Sequence, residues 1–175
     1  MAATFFDSEV IENQKLNYKF HLIKLRLKKN EEIFNFQPGQ FVVIKIGDSL
    51  YRSYSVTSNL DELPEWRIFA DITPGGPGSI FLKNLIPGQK IQHSSGKGIF
   101  ILKEEPASYN IMAATGCGLA SLIPMTEKVL QQTDKKVVLI WGLRYEKDLC
   151  LLDWLNSLIN NYNFSYKIVL SKPSN

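Results

Sequence analysis

Arg52 and Tyr54, in the stretch YRSYSVTSN (51–59), are separated by one residue. In an extended chain they point to the same side together with Val56, while Tyr51, Ser53 and Ser55 point to the other. A guanidinium beside a phenol ring suits a ligand that carries both an anionic group and a flat aromatic one. Arginine grips phosphate through paired hydrogen bonds, and tyrosine offers a stacking face. Without context, the same residues read as an ordinary strand with one exposed arginine. Two glycine-rich loops extend the chemistry. TPGGPGSIF (73–81) sets Gly75, Gly76 and Gly78 ahead of Ser79 and an apolar run, where backbone N–H groups at a helix start could face a phosphate, or the loop could be a flexible hairpin. AATGCGLAS (113–121) places Gly116 and Gly118 between a strand-like and a helix-like run. That is the context a nucleotide pyrophosphate requires, although the three-glycine spacing is incomplete.

The elements that must position these residues change character near residue 105. Before it, KFHLIKLRL, QFVVIKIG, RSYSV, WRIFADI, QKIQHSS and GIFIL are rich in Val, Ile, Phe and Tyr, and the turn signals QPGQ, SNLDELP, TPGGPGS and IPGQ separate them. Proline presets φ and glycine accepts φ > 0 in such turns. Six or so short strands predict a small antiparallel β-barrel, with SIFLKNLI as one short helix. After KEEPAS, a polar linker, YNIMAAT reads as a buried strand and GCGLASLIPMTEKVLQQ carries Leu119, Leu122, Ile123, Thr126 and Leu130 at helical spacing. KKVVLIWGL is a second strand, DLCLLDWLNSLINNY a second helix through Leu151, Leu155 and Leu158, and SYKIVL a third strand. This β-α-β-α-β order predicts a parallel sheet and half of a doubly wound fold. The expected division is a barrel over 1–104 and a partial α/β domain over 105–175.

Composition excludes several classes. The chain has 175 residues, 45% of them hydrophobic, and a net charge of +3, enough apolar content for a real core and too mild a charge for nucleic acid. No apolar run reaches about 18 residues, the length of a spanning helix, and no leader-like segment opens the chain, so a cytoplasmic location is expected. Cys117 and Cys150 lie far apart, which fits a reducing compartment, and with only His21 and His93 no metal site is expected. Trp66, Trp141 and Trp154 read as core or boundary residues, and His93 as a surface residue near a strand end.

Taken in order, FQPGQFVVIKI, RSYSVTSN, PGGPGSIFLKNLIPGQKI, SGKGIF, ATGCGLAS and WGLR resemble the ferredoxin–NADP reductase superfamily of flavin-dependent reductases. The resemblance runs from about Phe34 onward, and RSYS is its most diagnostic part. It implies that Arg52 pairs with a flavin nucleotide phosphate, that Tyr54 packs on the flavin, and that Ser55 bonds near flavin N5 as the catalytic serine, with Ser53 in the same motif. It further implies that Gly76, Gly78 and Ser79 form a second phosphate-binding element, and that Thr115, Gly116, Cys117, Gly118, Leu119 and Ala120 form the nicotinamide-nucleotide loop. The implied cofactor is FAD, or alternatively FMN, with NAD(P)H as co-substrate and a redox protein or small molecule as acceptor. The implied reaction is hydride transfer to the flavin followed by electron transfer onward. Arg144, and Ser171 with Lys172, occupy places where such proteins contact the adenine ribose or its 2′-phosphate, and a cation there favours NADPH.

The departures matter as well. The loop usually has threonine at Cys117 and proline at Ser121, so a hydroxyl and a rigid helix start are replaced. Cys117 itself reads as a small turn residue without redox chemistry. Further strands and a Cys-Gly segment follow the third strand in the resembled family and are not in this sequence. Slow hydride transfer, an open edge on YNIMAAT, and a homodimer or partner chain completing the sheet are therefore expected. Two other readings stand beside the reductase: a flavin-binding electron-transfer subunit, and a non-catalytic interaction domain on the same barrel.

Overall fold

A computed structural model describes residues 4–28, 34–103, 108–132 and 135–173. Six antiparallel strands come first: β1 (Phe5–Lys15), β2 (Phe20–Leu27), β3 (Phe41–Gly47), β4 (Leu50–Ser55), β5 (Glu65–Asp71) and β6 (Lys90–Ser94). Their order is β4-β3-β6-β1-β2-β5. The two edges come together through a bridge between Val56 and Ile68 and a bond from Thr57 N to Arg67 O of 2.8 Å, which curls the sheet into the expected small barrel. Its interior is the inward set of each strand, Phe6 and Val10, Ile23 and Leu25, Val42 and Ile44, Trp66 and Ile68, all buried.

Two differences from the sequence pattern follow from pairing. β1 is a central strand that the apolar pattern does not announce, because Asp7 and Glu9 alternate with buried Phe6, Ser8 and Val10. GIFIL, in contrast, forms no strand: after the single bridge between Phe41 and Lys97 it finds no ladder partner among the described residues, and Ile99 is 98% exposed while Leu102 packs against the apolar cluster of the second unit. His93 also departs from its expected place, because it is fully buried in the barrel core. Trp66 Nε1 donates to Ser8 Oγ (3.1 Å), Ser8 Oγ pairs with His93 Nε2 (2.8 Å), and His93 Nδ1 lies 3.1 Å from Ser94 O. A short polar chain inside an apolar cage of Phe6, Phe34 and Trp66 thus satisfies every member.

The second unit alternates β7 (Tyr109–Thr115), α2 (Leu119–Leu130), β8 (Lys136–Leu143), α3 (Leu152–Asn161) and β9 (Phe164–Leu170), while α1 (Pro77–Lys83) belongs to the barrel. The three strands are parallel in the order β7-β8-β9. Leu119, Leu122, Ile123, Thr126 and Leu130 form the buried face of α2, as their spacing predicts. Leu151, placed by the sequence pattern inside the second helix, instead precedes α3 at φ 57, while Leu155 and Leu158 are buried as expected. The expected boundary at 104/105 lies outside the described residues.

The two units share an apolar cluster that includes Phe20 and Phe69 of the barrel and Met112, Leu119, Ile123 and Trp141 of the α/β unit. Polar ties flank it. Asn17 Nδ2 at the β1–β2 turn donates to Asp148 O (3.0 Å), and Tyr18 Oη donates to the Asp148 carboxylate. Glu127 on α2 accepts from Asn59 Nδ2 (3.0 Å) and from Trp154 Nε1 of α3 (2.9 Å), and burial raises its pKa above the ordinary glutamate value.

Candidate functional site

The first candidate site forms where β4 meets α1. β4 pairs with β3 so that Arg52 lies opposite Ile44 and Tyr54 opposite Val42, both of which point into the barrel. The shared face predicted for Arg52, Tyr54 and Val56 is therefore present. The approach of Gly78 confirms it: a Cβ placed there would clash with Tyr54 Oη and lie 3.0 Å from Arg52 Cγ. A glycine at 78 is needed for α1 to sit this close to both side chains. Arg52 makes one bond, from Nη1 to Tyr51 O (2.8 Å), and no ion pair among the described residues. Tyr54 is half-buried, and burial raises its phenol pKa against the opposing effect of the Arg52 charge. The stem of Arg52 and the Tyr54 hydroxyl thus pack against the buried first turn of α1, where the N–H groups of Gly78 and Ser79 have no intrahelical acceptor.

Other members of the predicted set stand differently. Gly76 is the residue that caps α1, at φ −76, and a Cβ there would meet nothing within 4 Å. Ser79 is buried and its hydroxyl donates to Gly76 O (2.9 Å), so the side chain closes the turn and leaves the backbone N–H as its free donor. Strand alternation puts Ser53 and Ser55 on the face away from Arg52. Ser53 is exposed, and Ser55 is half-buried at the end of β4 opposite Phe41. The Ser55 hydroxyl has no partner among the described residues.

The second candidate site is a crevice of about 550 Å³ at the C-terminal ends of the parallel strands, lined by Lys19, Thr115, Gly116, Gly142, Arg144 and Lys172 among others. Ligands of open parallel sheets lie in this position. Gly116 has φ 52, a conformation that glycine adopts without strain, and its carbonyl accepts from Trp141 Nε1 (3.0 Å). Gly116–Gly118 make one helical turn that leads directly into α2, and Thr115 and Cys117 are exposed at its rim. The crevice floor is tied by Ser171 N to Leu143 O (3.0 Å) and Lys172 N to Arg144 O (2.8 Å). Thr115, Gly116, Arg144, Ser171 and Lys172, separate in sequence, are thus brought together. Lys19, a barrel residue, joins them without any sequence signal. No group of three or more potential metal ligands occurs among the described residues.

A barrel with a cation and ring beside a helix start, joined to a parallel sheet with a glycine turn, defines a two-unit, nucleotide-binding flavoprotein fold. Residues 7–101 match the oxidoreductase FAD-binding domain, and residues 112–175 match the oxidoreductase NAD-binding domain. The chain belongs to this family of FAD-binding oxidoreductases. It is 28% identical over 144 residues to ferredoxin–NADP reductase B of Sorangium cellulosum, covering 79% of this chain and 59% of that protein. It is 29% identical over 143 residues to the flavodoxin/ferredoxin–NADP reductase of Escherichia coli, covering 78% and 57%. A third relative, a dihydroorotate dehydrogenase B (NAD+) electron transfer subunit homolog of Aquifex aeolicus, is 24% identical over 155 residues, covering 85% and 58%. The chain therefore spans little more than half the length of these curated relatives. In fold it is similar to the ferredoxin–NADP+ reductase of Plasmodium falciparum with 2′P-AMP, with a TM-score of 0.83, 17% identity, and coverage of 99% and 75%. It is also similar to the ferredoxin reductase in carbazole 1,9a-dioxygenase, with a TM-score of 0.84, 21% identity, and coverage of 100% and 53%.

The first site fits a flavin nucleotide on its own chemistry. Arg52 has donors to spare, the Tyr54 hydroxyl has no partner among the described residues, and the buried Gly78 lets the first turn of α1 pack directly against both side chains.

Proposed function

We propose that this chain holds FAD and accepts a nicotinamide nucleotide as part of a flavin-dependent oxidoreductase that passes electrons between NAD(P)H and an acceptor. The observation that carries the reading is the packing of Arg52 and Tyr54 onto Gly78 of α1, which brings an arginine and a tyrosine side chain against the first turn of a helix. Arg52 and the N–H groups of Gly78 and Ser79 bind phosphate, with Gly76 as the residue that leads into α1. Tyr54 orients the flat ring, with Ser53 in the same strand. The Ser55 hydroxyl, which has no partner among the described residues, donates a hydrogen bond at the reacting edge of the ring. Thr115, Gly116, Cys117 and Gly118 present backbone to a pyrophosphate, and Arg144 and Lys172 favour a nucleotide with a 2′-phosphate. A flavin held there supplies hydride acceptance and the passage of electrons singly or in pairs. The acceptor is a redox protein of ferredoxin type, in line with the names of the relatives. The division into units at 104/105 and a cytoplasmic location belong to the same proposal.

Two further features favour an electron-transfer subunit that works with another chain. β7 pairs only with β8 among the described residues. The sheet face that carries Tyr109, Ile111, Ile140 and Val169 is exposed, Ile111 by 72%, whereas parallel sheets are normally covered on both faces. A second copy or a partner chain completes the sheet in this reading.

Titration of the purified chain with FAD and with FMN, followed by visible absorbance and flavin fluorescence, tests the core of the proposal. Saturable uptake, tighter for FAD, is expected. A chain that stays colourless with both cofactors would overturn it. Light scattering on the same sample tests the completing partner: a strictly monomeric chain argues against a second copy.

A further inference from the structure

The nucleotide crevice contains a cation that belongs to the other unit. Lys19 sits at the β1–β2 turn of the barrel and lines the crevice together with Thr115, Gly116, Arg144 and Lys172. No carboxylate lines this crevice, so its three charged side chains are all cationic. The Lys19 backbone is fixed at both ends: its N–H donates to Asn17 Oδ1 (2.9 Å), and its carbonyl accepts from Ile72 N (2.9 Å). The other end of the Asn17 amide clips the same turn to Asp148 O and Leu149 O of the α/β unit. The position of Lys19 is therefore set by the barrel and by its docking together.

The side chain itself is only partly used. It is 19% exposed, and its ammonium lies 3.6 Å from Asp71 and 3.8 Å from Asp148, beyond hydrogen-bond reach of either. Both carboxylates are satisfied without it. Asp148 accepts from Tyr18 Oη and from the N–H groups of Arg144 and Tyr145, and Asp71 accepts from the N–H and hydroxyl of Thr73. Lys19 thus holds a charge in a largely enclosed place, ion-paired with Asp71 and Asp148 at distances that leave its N–H donors without a hydrogen bond within 3.5 Å among the described residues. An ammonium in this condition can still give hydrogen bonds to a multiply charged anion entering the crevice, where Arg144 and Lys172 supply the positive charge that offsets the two nearby carboxylates.

We propose that Lys19 is a positioning residue for the pyrophosphate of a nicotinamide dinucleotide, contributed by the flavin-binding unit to the crevice of the other. The proposal rests on the reading of the crevice as a dinucleotide site. Lys19 and the Gly116 turn hold the pyrophosphate between them, and Arg144 and Lys172 serve the adenosine end. The dinucleotide then bridges the two units, and its binding strengthens their docking at Asp148.

Calorimetric titration with ADP-ribose and with its 2′-phosphorylated form, on the full chain and on K19Q and K19R, tests this. Lys19→Gln is expected to weaken both ligands by the same factor, about tenfold, since both carry the pyrophosphate, while Lys19→Arg stays within about twofold of the parent. If the parent binds and Lys19→Gln binds equally well, the role of Lys19 is overturned while the crevice reading stands. Selective loss of the 2′-phosphorylated ligand overturns the pyrophosphate assignment. Equal weakening by Lys19→Arg marks a purely structural role and overturns it too. If the parent binds neither ligand, the crevice reading falls, and Lys19 falls with it.

Discussion

The flavin-side and nucleotide-side sites are built on opposite plans. Arg52, Tyr54 and Gly78 belong to one curled sheet and its own short helix, and each is held by close packing against the others. The crevice takes its residues from the ends of three strands and from a turn of the neighbouring unit, and one face of its sheet is exposed. A site within one closed element is organised before any ligand arrives. A site shared between units depends on their docking, so its affinity carries the cost or gain of that docking. The barrel also holds both histidines of the chain, so the two units differ in their response to acid.

The largest expected effect breaks the comparison through pH. Burial pushes the His93 pKa down from 6.5 to about 4, so folded barrel keeps the imidazole neutral where the unfolded chain takes up a proton. Its contribution to stability is complete above about pH 6.5 and declines as pH falls towards 4. At about 1.4 kcal/mol per unit, the loss reaches about 3 kcal/mol. Urea unfolding at pH 7 and pH 4.5 checks this against His93→Gln, whose stability should fall less over the same interval; parallel curves would refute the assignment.

Next in size is Arg52→Ala. It removes the cation proposed to bind the phosphate and is expected to weaken FAD by about 1.5–3 kcal/mol, the range for a hydrogen bond to a charged group, with no change in ADP-ribose binding at the crevice. Fluorescence titration with FAD and calorimetry with ADP-ribose, on one preparation, separate the two sites; loss of both would show that they are not independent.

A glycine pair sharpens the contrast further. Gly78→Ala forces Tyr54 and Arg52 aside and should cost of the order of 1–2 kcal/mol in FAD affinity, whereas Gly76→Ala, whose Cβ would meet nothing, should stay within about 0.5 kcal/mol. Equal losses would mean that the loop, and not its contact with β4, decides binding.

The smallest effect on affinity is expected for Ser55→Ala, which should leave FAD binding nearly intact and act on the reduction rate. A group that touches the reacting edge contributes more to the transition state than to anchoring. Stopped-flow reduction at saturating donor measures it, and an unchanged rate would remove Ser55 from the mechanism.

What the sequence alone determined was whatever depends on local pattern and spacing. Alternation placed Arg52 and Tyr54 on one face, helical spacing marked Leu119 to Leu130 as a buried stripe, and Gly116 announced a turn after a strand. Each follows from the two- and 3.6-residue periods or from allowed φ, which neighbours in sequence set by themselves. Tertiary structure decided what depends on which surfaces meet. β1 became a central strand because its partners β2 and β6 supply both ladders, although charges interrupt its apolar pattern. GIFIL, more apolar, found no ladder partner among the described residues and left Ile99 and Phe100 exposed. His93 went inside because Ser8, far away in sequence, pairs with its Nε2 and is held in turn by the indole N–H of Trp66. Lys19 entered the nucleotide crevice because Asn17 clips the barrel's first turn to Asp148 and Leu149. A buried polar group or a ladder edge is stable only when a distant residue satisfies it, and no local period encodes where that residue will lie.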